Sequence, residues 1–305
     1  MSGHTNNVTL IDNQGWDGRI LVLANDALVQ TFIILTDRFV VLVDTMINAA
    51  TAVSLLQHAR PHLANRHLLV INTHADYDHA WGNQVFAGPA ARHPAPIIGS
   101  RRCADILRSP ESADTLAQMV AHEPDIFNHV ILTPPTILFD EQLTLDGGDL
   151  TLELFATPGH TPDHLSLYIP EIDTLFAADA AELPYPMART TAGLPAMRQS
   201  LAKLAAYHAG RVFYCHAPVT TDGQLLQDNI AYFDKIEQAC QAALAADTAV
   251  SWPSIPDTDL ITAVGLPYNE AVPTAEHWHS VHEYYQTKGH AHQLRAMLEH
   301  LTGPS

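Results

Sequence analysis

Four side chains that bind metal ions fall within six positions: His74, Asp76, Asp78 and His79. Imidazole suits zinc and iron, and carboxylate accepts both of these and harder ions such as manganese. The segment Thr73-His74-Ala75-Asp76-Tyr77-Asp78-His79 directly follows an unbroken apolar run, His67-Leu68-Leu69-Val70-Ile71-Asn72. That run reads as a buried strand. A loop at the end of a buried strand is rigidly placed and can aim several side chains at one point. In extended backbone, positions 74, 76 and 78 share a face, and His79 points elsewhere, toward a neighbouring ion. By itself the segment also reads as an acidic turn with helix-capping Asp residues.

Three more candidates each close a predicted strand. His160 lies in Thr157-Pro158-Gly159-His160-Thr161, Asp179 ends Leu175-Phe176-Ala177-Ala178-Asp179, and His216 ends Val212-Phe213-Tyr214-Cys215-His216. A capping role would explain any one of them. All three, in order and each at a strand end, point with the first cluster to a metal site.

These residues need a scaffold. Strands are predicted at Ile20–Ala24, Gln30–Thr36 and Phe39–Asp44, with Thr36-Asp37-Arg38 as a hairpin turn. Apolar spacing predicts a helix from Asn48 to about Leu63, ended near Pro61. Arg101 to Ile126 reads as helical and then loop-like. Strands return at Thr136–Phe139, Leu143–Leu145, Leu150–Phe155, Leu165–Ile169, Thr174–Ala178 and Val212–Cys215, with helices at Met197–His208 and Asp222 to about Ala246. A stretch punctuated by Pro253, Pro256, Pro267 and Pro273 leads to terminal helices from about Glu276 to Leu301. Mixed strands and helices in this order suit sheets covered by helices. There is no internal repeat.

The chain of 305 residues is 47% hydrophobic and 16% charged, enough for a substantial core. Its formal net charge of -18 disfavours nucleic acid and anionic membrane surfaces as partners. No apolar run approaches the ~20 residues that span a bilayer. The polar start Met1-Ser2-Gly3-His4-Thr5 lacks the pattern of a secretory signal. Cys103, Cys215 and Cys240, odd in number and widely spaced, read as free thiols in a reducing compartment, so a cytoplasmic location is expected.

The ordered pattern resembles the metallo-β-lactamase superfamily: a strand-end Asp, then His-x-His-x-Asp-His, then a lone His, a lone Asp and a final His. The match runs from about Leu42 to Pro218. The resemblance implies an α+β fold, a four-layer αβ/βα sandwich, here with extra C-terminal helices. It would divide the chain into a metallo-β-lactamase-like domain at 1–246 and a C-terminal helical extension at 247–305. It makes Asp44 the strand-end Asp that supports the site. It implies one ion held by His74, Asp76 and His160, a second by Asp78, His79 and His216, and Asp179 bridging them. Asp76 departs from the pattern, which has His there. An acidic residue at that place resembles the flavodiiron branch, and three carboxylates around two ions raise the relative appeal of iron or manganese over zinc.

The function this implies is a binuclear metal-dependent hydrolase acting on a small molecule. Two ions, zinc first, would share a hydroxide of lowered pKa that attacks an ester, lactone, thioester, amide or phosphodiester centre, with Asp78 and Asp179 as its catalytic residues. One competing reading is a diiron oxidoreductase, favoured by Asp76 and disfavoured because no flavodoxin-like segment follows Pro218. Another is a metal-binding module without catalysis. The loop Glu182-Leu183-Pro184-Tyr185-Pro186-Met187-Ala188-Arg189 follows Asp179, so Tyr185 is a candidate oxyanion donor and Arg189 a candidate binder of a carboxylate. His164 is a candidate supporting or substrate group, whereas Tyr77, Trp81 and Cys215 read as packing. The C-terminal His277, His279, His282, His290 and His292 read as a solvated helix face, with His279 and His282 three apart on a helix. The terminal helices would cap the fold or form a homodimer contact.

Overall fold

The computed structural model describes residues 3–219, 221–246 and 251–303. These form two compact units. The first comprises the residues through Ala156 together with Asp163–Ala178; the second comprises Thr157–Pro162 and the residues from Asp179 onward. The boundary expected after residue 246 falls at residues 247–250, which lie outside the described residues.

The first unit opens with β1 (Thr9–Ile11), β2 (Ile20–Asn25), β3 (Val29–Leu35), β4 (Phe39–Val43), α1 (Ala49–Ala59), β5 (His67–Ile71) and the single turn α2 (Tyr77–Ala80). It continues through β6 (Ile97–Ser100), α3 (Arg101–Leu107), α4 (Pro110–His122), α5 (Pro124–Phe127) and β7 (Ile137–Phe139). Strands β1 to β7 form one sheet in sequence order. Neighbours from β1 to β4 are antiparallel, and those from β4 to β7 are parallel. The change of sense follows from the connections. Thr36 closes a tight hairpin, its Oγ1 accepting the Phe39 N–H at 2.9 Å, so β3 and β4 run oppositely. Between β4 and β5 the chain crosses over through a helix, the connection that parallel neighbours need. Asn48 caps that helix in a capping box with Thr51 and starts it sharply. Its Ala52, Leu55, Leu56 and Ala59 turn inward at helical spacing.

A second sheet of the same unit carries β8 (Gln142–Asp146), β9 (Thr151–Ala156), β10 (Leu165–Ile169) and β11 (Thr174–Phe176) as antiparallel neighbours. Phe32 of β3 meets Phe176 of β11 edge to face, ring centroids 5.0 Å apart, which joins the inner faces of the two sheets.

The second unit contains α6 (Gly193–Ala205), β12 (Arg211–Phe213), α7 (Gln224–Ala246), α8 (Asp257–Val264), α9 (Tyr268–Ala271), α10 (Glu276–His279) and α11 (His290–Thr302). The spine is α7, whose Leu225, Leu226, Asn229, Tyr232, Phe233, Ile236 and Cys240 are buried in a helical stripe. It packs against α6, α8 and α11. Among the described residues no helix is long and apolar enough to cross a membrane. All three cysteines are buried free thiols.

The C-terminal histidines do not share one environment. His277, His279 and His282 are exposed, but α10 ends at His279, so His282 does not continue its face. His290 is fully buried, which corrects its reading as a solvated residue. Its Nε2 lies 2.8 Å from the Leu266 carbonyl and its Nδ1 2.9 Å from the Tyr232 hydroxyl. The carbonyl only accepts, so Nε2 carries the proton, and Nδ1 accepts from the tyrosine. Burial lowers the pKa of this ring below the ordinary 6.5. The unfolded chain therefore takes up a proton near 6.5 while the folded one resists it. Stability of the metal-free protein is expected to be complete above 6.5 and to fall as pH drops below it. Denaturant titrations at neutral and mildly acidic pH should show a smaller loss in His290→Gln than in the unsubstituted chain; equal losses would remove His290 as the cause.

Candidate metal centre

In the first unit the site is built where β4 and β5 end. Their parallel register sets Val43 opposite Ile71, so Asp44 and the residues after Ile71 leave the sheet side by side. The Asp44 N–H still donates to the Ile71 carbonyl at 2.7 Å. There the backbone turns left-handed, with φ of 67° at Asp44 and 60° at Met46, a conformation that Asp tolerates better than most residues. The Asp44 carboxylate is buried, and three donors hold it. Thr73 gives its N–H to Oδ1 at 2.8 Å and its hydroxyl to Oδ2 at 2.8 Å, and His79 presents Nδ1 to Oδ2 at 2.9 Å.

Counting protons fixes two tautomers. With Asp44 ionised, His79 must carry its proton on Nδ1. The single Thr73 hydroxyl proton is given to Asp44, so the contact of 3.0 Å between Thr73 Oγ1 and His74 Nδ1 has the histidine as donor. Both imidazoles thus keep their Nε2 lone pairs for the site. His74 Nε2 faces Asp76 Oδ2 at 3.3 Å, and His79 Nε2 faces Asp78 Oδ2 at 3.8 Å.

The backbone of this segment is not extended throughout. Asp76 is (φ −61°, ψ 156°), but it caps the helical turn α2, so Asp78 and His79 sit on a helix. The expected sharing of one face by residues 74, 76 and 78 is corrected accordingly. The turn is anchored at several points. Ala75 N–H donates to Asp163 Oδ2 at 2.8 Å, Leu165 N–H to the Thr73 carbonyl at 2.9 Å, and Thr45 N–H to the His79 carbonyl at 2.7 Å. His164 is buried beside His74, ring centroids 5.1 Å apart. Tyr77 and Trp81 pack edge to face on Phe127.

The second unit carries His160, Asp179 and His216. Gly159, at φ 149°, lies so close to the start of α6 that a Cβ there would sit 2.3 Å from Met197 Cα. Ser200 Oγ also donates to the Pro158 carbonyl at 2.7 Å. These contacts fix the loop that presents His160. Asp179 occupies a single 3-10 turn, Ala178–Ala180, entered through a left-handed Ala178 at φ 48°. Its Oδ2 lies 3.2 Å from His216 Nε2 and 3.7 Å from His160 Nε2. Leu183 N–H donates to the His216 carbonyl at 2.8 Å, tying the loop after Asp179 to the end of the β12 segment.

Arg189 places a guanidinium N 3.3 Å from His160 Nε2. Arginine can only donate, so Nε2 bears a lone pair and the proton of neutral His160 is on Nδ1. That proton faces Glu182 Oε1 at 3.5 Å. Glu182 is buried, and desolvation raises its pKa to about 7. Tyr185, by contrast, is a core residue. It is fully buried, stacks on Tyr232 at 4.3 Å and 6°, and gives its hydroxyl proton to the Tyr285 carbonyl at 2.6 Å. With that proton committed and no exposed surface, it is withdrawn as an oxyanion donor. Cys215 is buried, and Arg189 is exposed.

In both units imidazole lone pairs face carboxylate oxygens, those of His74, His79 and His160 at 3.3, 3.8 and 3.7 Å, an arrangement that repels until a cation lies among the atoms. Nitrogen and oxygen donors of this kind fit divalent zinc, iron or manganese. The Nδ1 support to His74 and His79 is the outer hydrogen bonding that metal-binding histidines ordinarily receive.

Sequence reading missed Glu182, Asp163, Thr73 and Asn229. Asn229 accepts the Glu182 N–H at 2.9 Å and donates to the Glu182 carbonyl at 3.0 Å and the Pro184 carbonyl at 3.1 Å. A buried Asn on an apolar helix stripe is the one local signal that could have flagged it.

Comparison with known proteins bears on the family and the fold. Hydroxyacylglutathione hydrolase from Hahella chejuensis (strain KCTC 2396) is 31% identical over 167 residues, half of this chain and half of that protein. The chain thus spans about half the length of that curated relative. Among solved structures, a metallo-beta-lactamase from Pontibacter korlensis aligns with a TM-score of 0.56 at 19% identity, covering 73% of this chain and 97% of that one. The stereoselective inverting sec-alkylsulfatase Pisa1 from Pseudomonas sp. aligns at 0.68 and 17%, covering 95% of this chain and 50% of that one. Likeness at such identities speaks to fold alone. The model of the metallo-beta-lactamase superfamily matches residues 25–216, from the end of β2 through the final histidine, and the chain belongs to that superfamily and has its fold.

Proposed function

We propose that this chain is a metal-dependent hydrolase acting on a small molecule at a binuclear centre. In the order of the family's motif, one ion is assigned to His74, Asp76 and His160, the second to Asp78, His79 and His216, and Asp179 to both. The observation that carries the reading is the pairing of imidazole lone pairs with carboxylates, at 3.3 and 3.8 Å in the first unit and 3.7 Å in the second, where His216 Nε2 also lies 3.2 Å from the same Asp179 oxygen.

When bound, divalent ions at these residues would supply Lewis acidity and lower the pKa of a water toward neutrality. The chain's residues do the rest. Asp44 and Thr73 hold the tautomers of His79 and His74. Asp78 orients the attacking water, and exposed Arg189 binds an anionic part of the substrate. The name of the curated relative puts a hydroxyacylglutathione thioester first among candidate substrates.

Elemental analysis of protein purified without added metal, followed by reloading with zinc, manganese or iron, tests this. Each form is assayed on thioester, lactone, phosphodiester and β-lactam substrates. The expected result is two ions per chain with hydrolytic turnover, the thioester fastest. Two irons with oxygen reduction and no hydrolysis would replace this reading with the oxidoreductase that Asp76 also suits. Metal uptake without any turnover would leave a binding module.

A further inference from the structure

Three histidines have their tautomers fixed by neighbours, and two of them donate Nδ1–H within one network: His79 to Asp44 at 2.9 Å and His74 to Thr73 at 3.0 Å. The third, His160, has Glu182 Oε1 in that place, at 3.5 Å. This oxygen is buried and forms no hydrogen bond among the described residues. A carboxylate is costly to bury without a proton donor, so its position needs a reason.

The position is also built. Asn229 lies fully buried on α7 and clamps both backbone polar groups of Glu182, at 2.9 and 3.0 Å, together with the Pro184 carbonyl. A side-chain amide that reads the N–H and C=O of one residue fixes that residue in place and direction. The clamp turns both amide hydrogens and one oxygen lone pair toward one short segment, while the Glu182 side chain is left to reach His160.

From this geometry we propose that Glu182 is the positioning residue of His160. Its carboxylate accepts the Nδ1 proton and keeps the Nε2 lone pair on the metal side, as Asp44 does for His79, and Asn229 on α7 holds the carboxylate there. The separation of 3.5 Å is slightly longer than a formed hydrogen bond, and small side-chain rotation brings it within range. The inference rests on the metal-centre reading for its consequence but not for the tautomer itself.

Two readouts test it on the full chain, in the wild type, Glu182→Ala and Glu182→Gln. The first is the nitrogen chemical shift of the His160 ring in the metal-free protein, in mildly alkaline buffer and assigned with His160→Gln. Wild type and Glu182→Gln, whose amide oxygen still accepts, are expected to show the Nδ1–H tautomer. Glu182→Ala is expected to show a mixture. The second is zinc affinity, measured by competition with a chromophoric chelator. Glu182→Ala is expected to weaken one of two zinc ions by about 10–100-fold, and Glu182→Gln to recover most of that loss. An unchanged His160 tautomer in Glu182→Ala, or equal zinc loss in the Ala and Gln variants, would overturn the proposal. A wild-type chain that binds no zinc, manganese or iron would defeat the hydrolase reading, and the tautomer measurement would still decide this one.

Discussion

Asp179→Asn is expected to abolish most hydrolysis while leaving the metal-free protein at least as stable as before. Asp179 is buried, and its Oδ2 faces His216 Nε2 at 3.2 Å and His160 Nε2 at 3.7 Å. As the proposed shared ligand it contributes to both ions, and a neutral amide is a far poorer donor to either. Losing one ion removes several kcal/mol of transition-state stabilisation, a fall of about 1,000-fold or more in kcat. Metal content should drop from two per chain toward one. Stability should not follow. The Asp179 charge lies close enough to Glu182 to help raise its pKa, so the two carboxylates repel when no ion separates them. Neutralising one relieves that repulsion without changing side-chain volume. Activity, metal content and thermal unfolding of the metal-free variant are the measurements. Two ions retained with near-normal turnover would show that Asp179 is not shared.

The second large effect is expected from a methyl group. In Gly159→Ala the new Cβ would lie 2.3 Å from Met197 Cα and 2.6 Å from Met197 N. Both are backbone atoms of α6, so no rotamer change relieves the clash, and φ of 149° is itself hostile to any L side chain. Loss of about 3 kcal/mol or more of stability is expected, with weaker zinc binding because His160 is the next residue. Gly265→Ala is the control. It also has positive φ, 76°, but nothing lies within 4 Å of its Cβ, so only the left-handed penalty of about 1–2 kcal/mol applies. Chemical denaturation of both variants, with zinc titration of each, checks the pair. Equal losses in the two would mean that the approach to α6 is not what holds the loop.

The candidate site was legible where chemistry is local in sequence. The cluster from His74 to His79 and the strand-end residues His160, Asp179 and His216 stand out by type and order alone. The hairpin at residues 36–38 was equally plain, because turn residues sit between two apolar runs and β3 and β4 stop on either side. Short elements were not. β1 has only three residues, largely exposed, and β6 only four, buried and entered after Pro94 and Pro96. Prolines also hid α8 and α9. Pro256 and Pro267 were read as breaks in the chain, whereas each is the residue that starts a helix. The turn α2 was missed because two Asp residues and a short span disguise it as extended loop. Glu182 could not be read at all. Its meaning depends on Asn229, 47 residues away, and on His160, and nothing in its own neighbourhood separates it from a surface acid.

The way the chain is threaded bears on how the protein can be dissected. Residues 157–162 belong with the second unit although both flanking stretches belong with the first. No single cut can therefore divide the chain into its two units. A cut after Ala178 would leave a C-terminal piece with Asp179, Glu182, Asn229 and His216 but without His160 or the glycine that seats it. A cut before Thr157 would keep those residues together but strip β10 and β11 from the first unit. Fragment complementation or domain swapping at the Ala178 junction would separate His160 from the carboxylate that directs it, and at the Thr157 junction it would break the second sheet's strands away from their unit, so mutational work on this protein is best done in the intact chain.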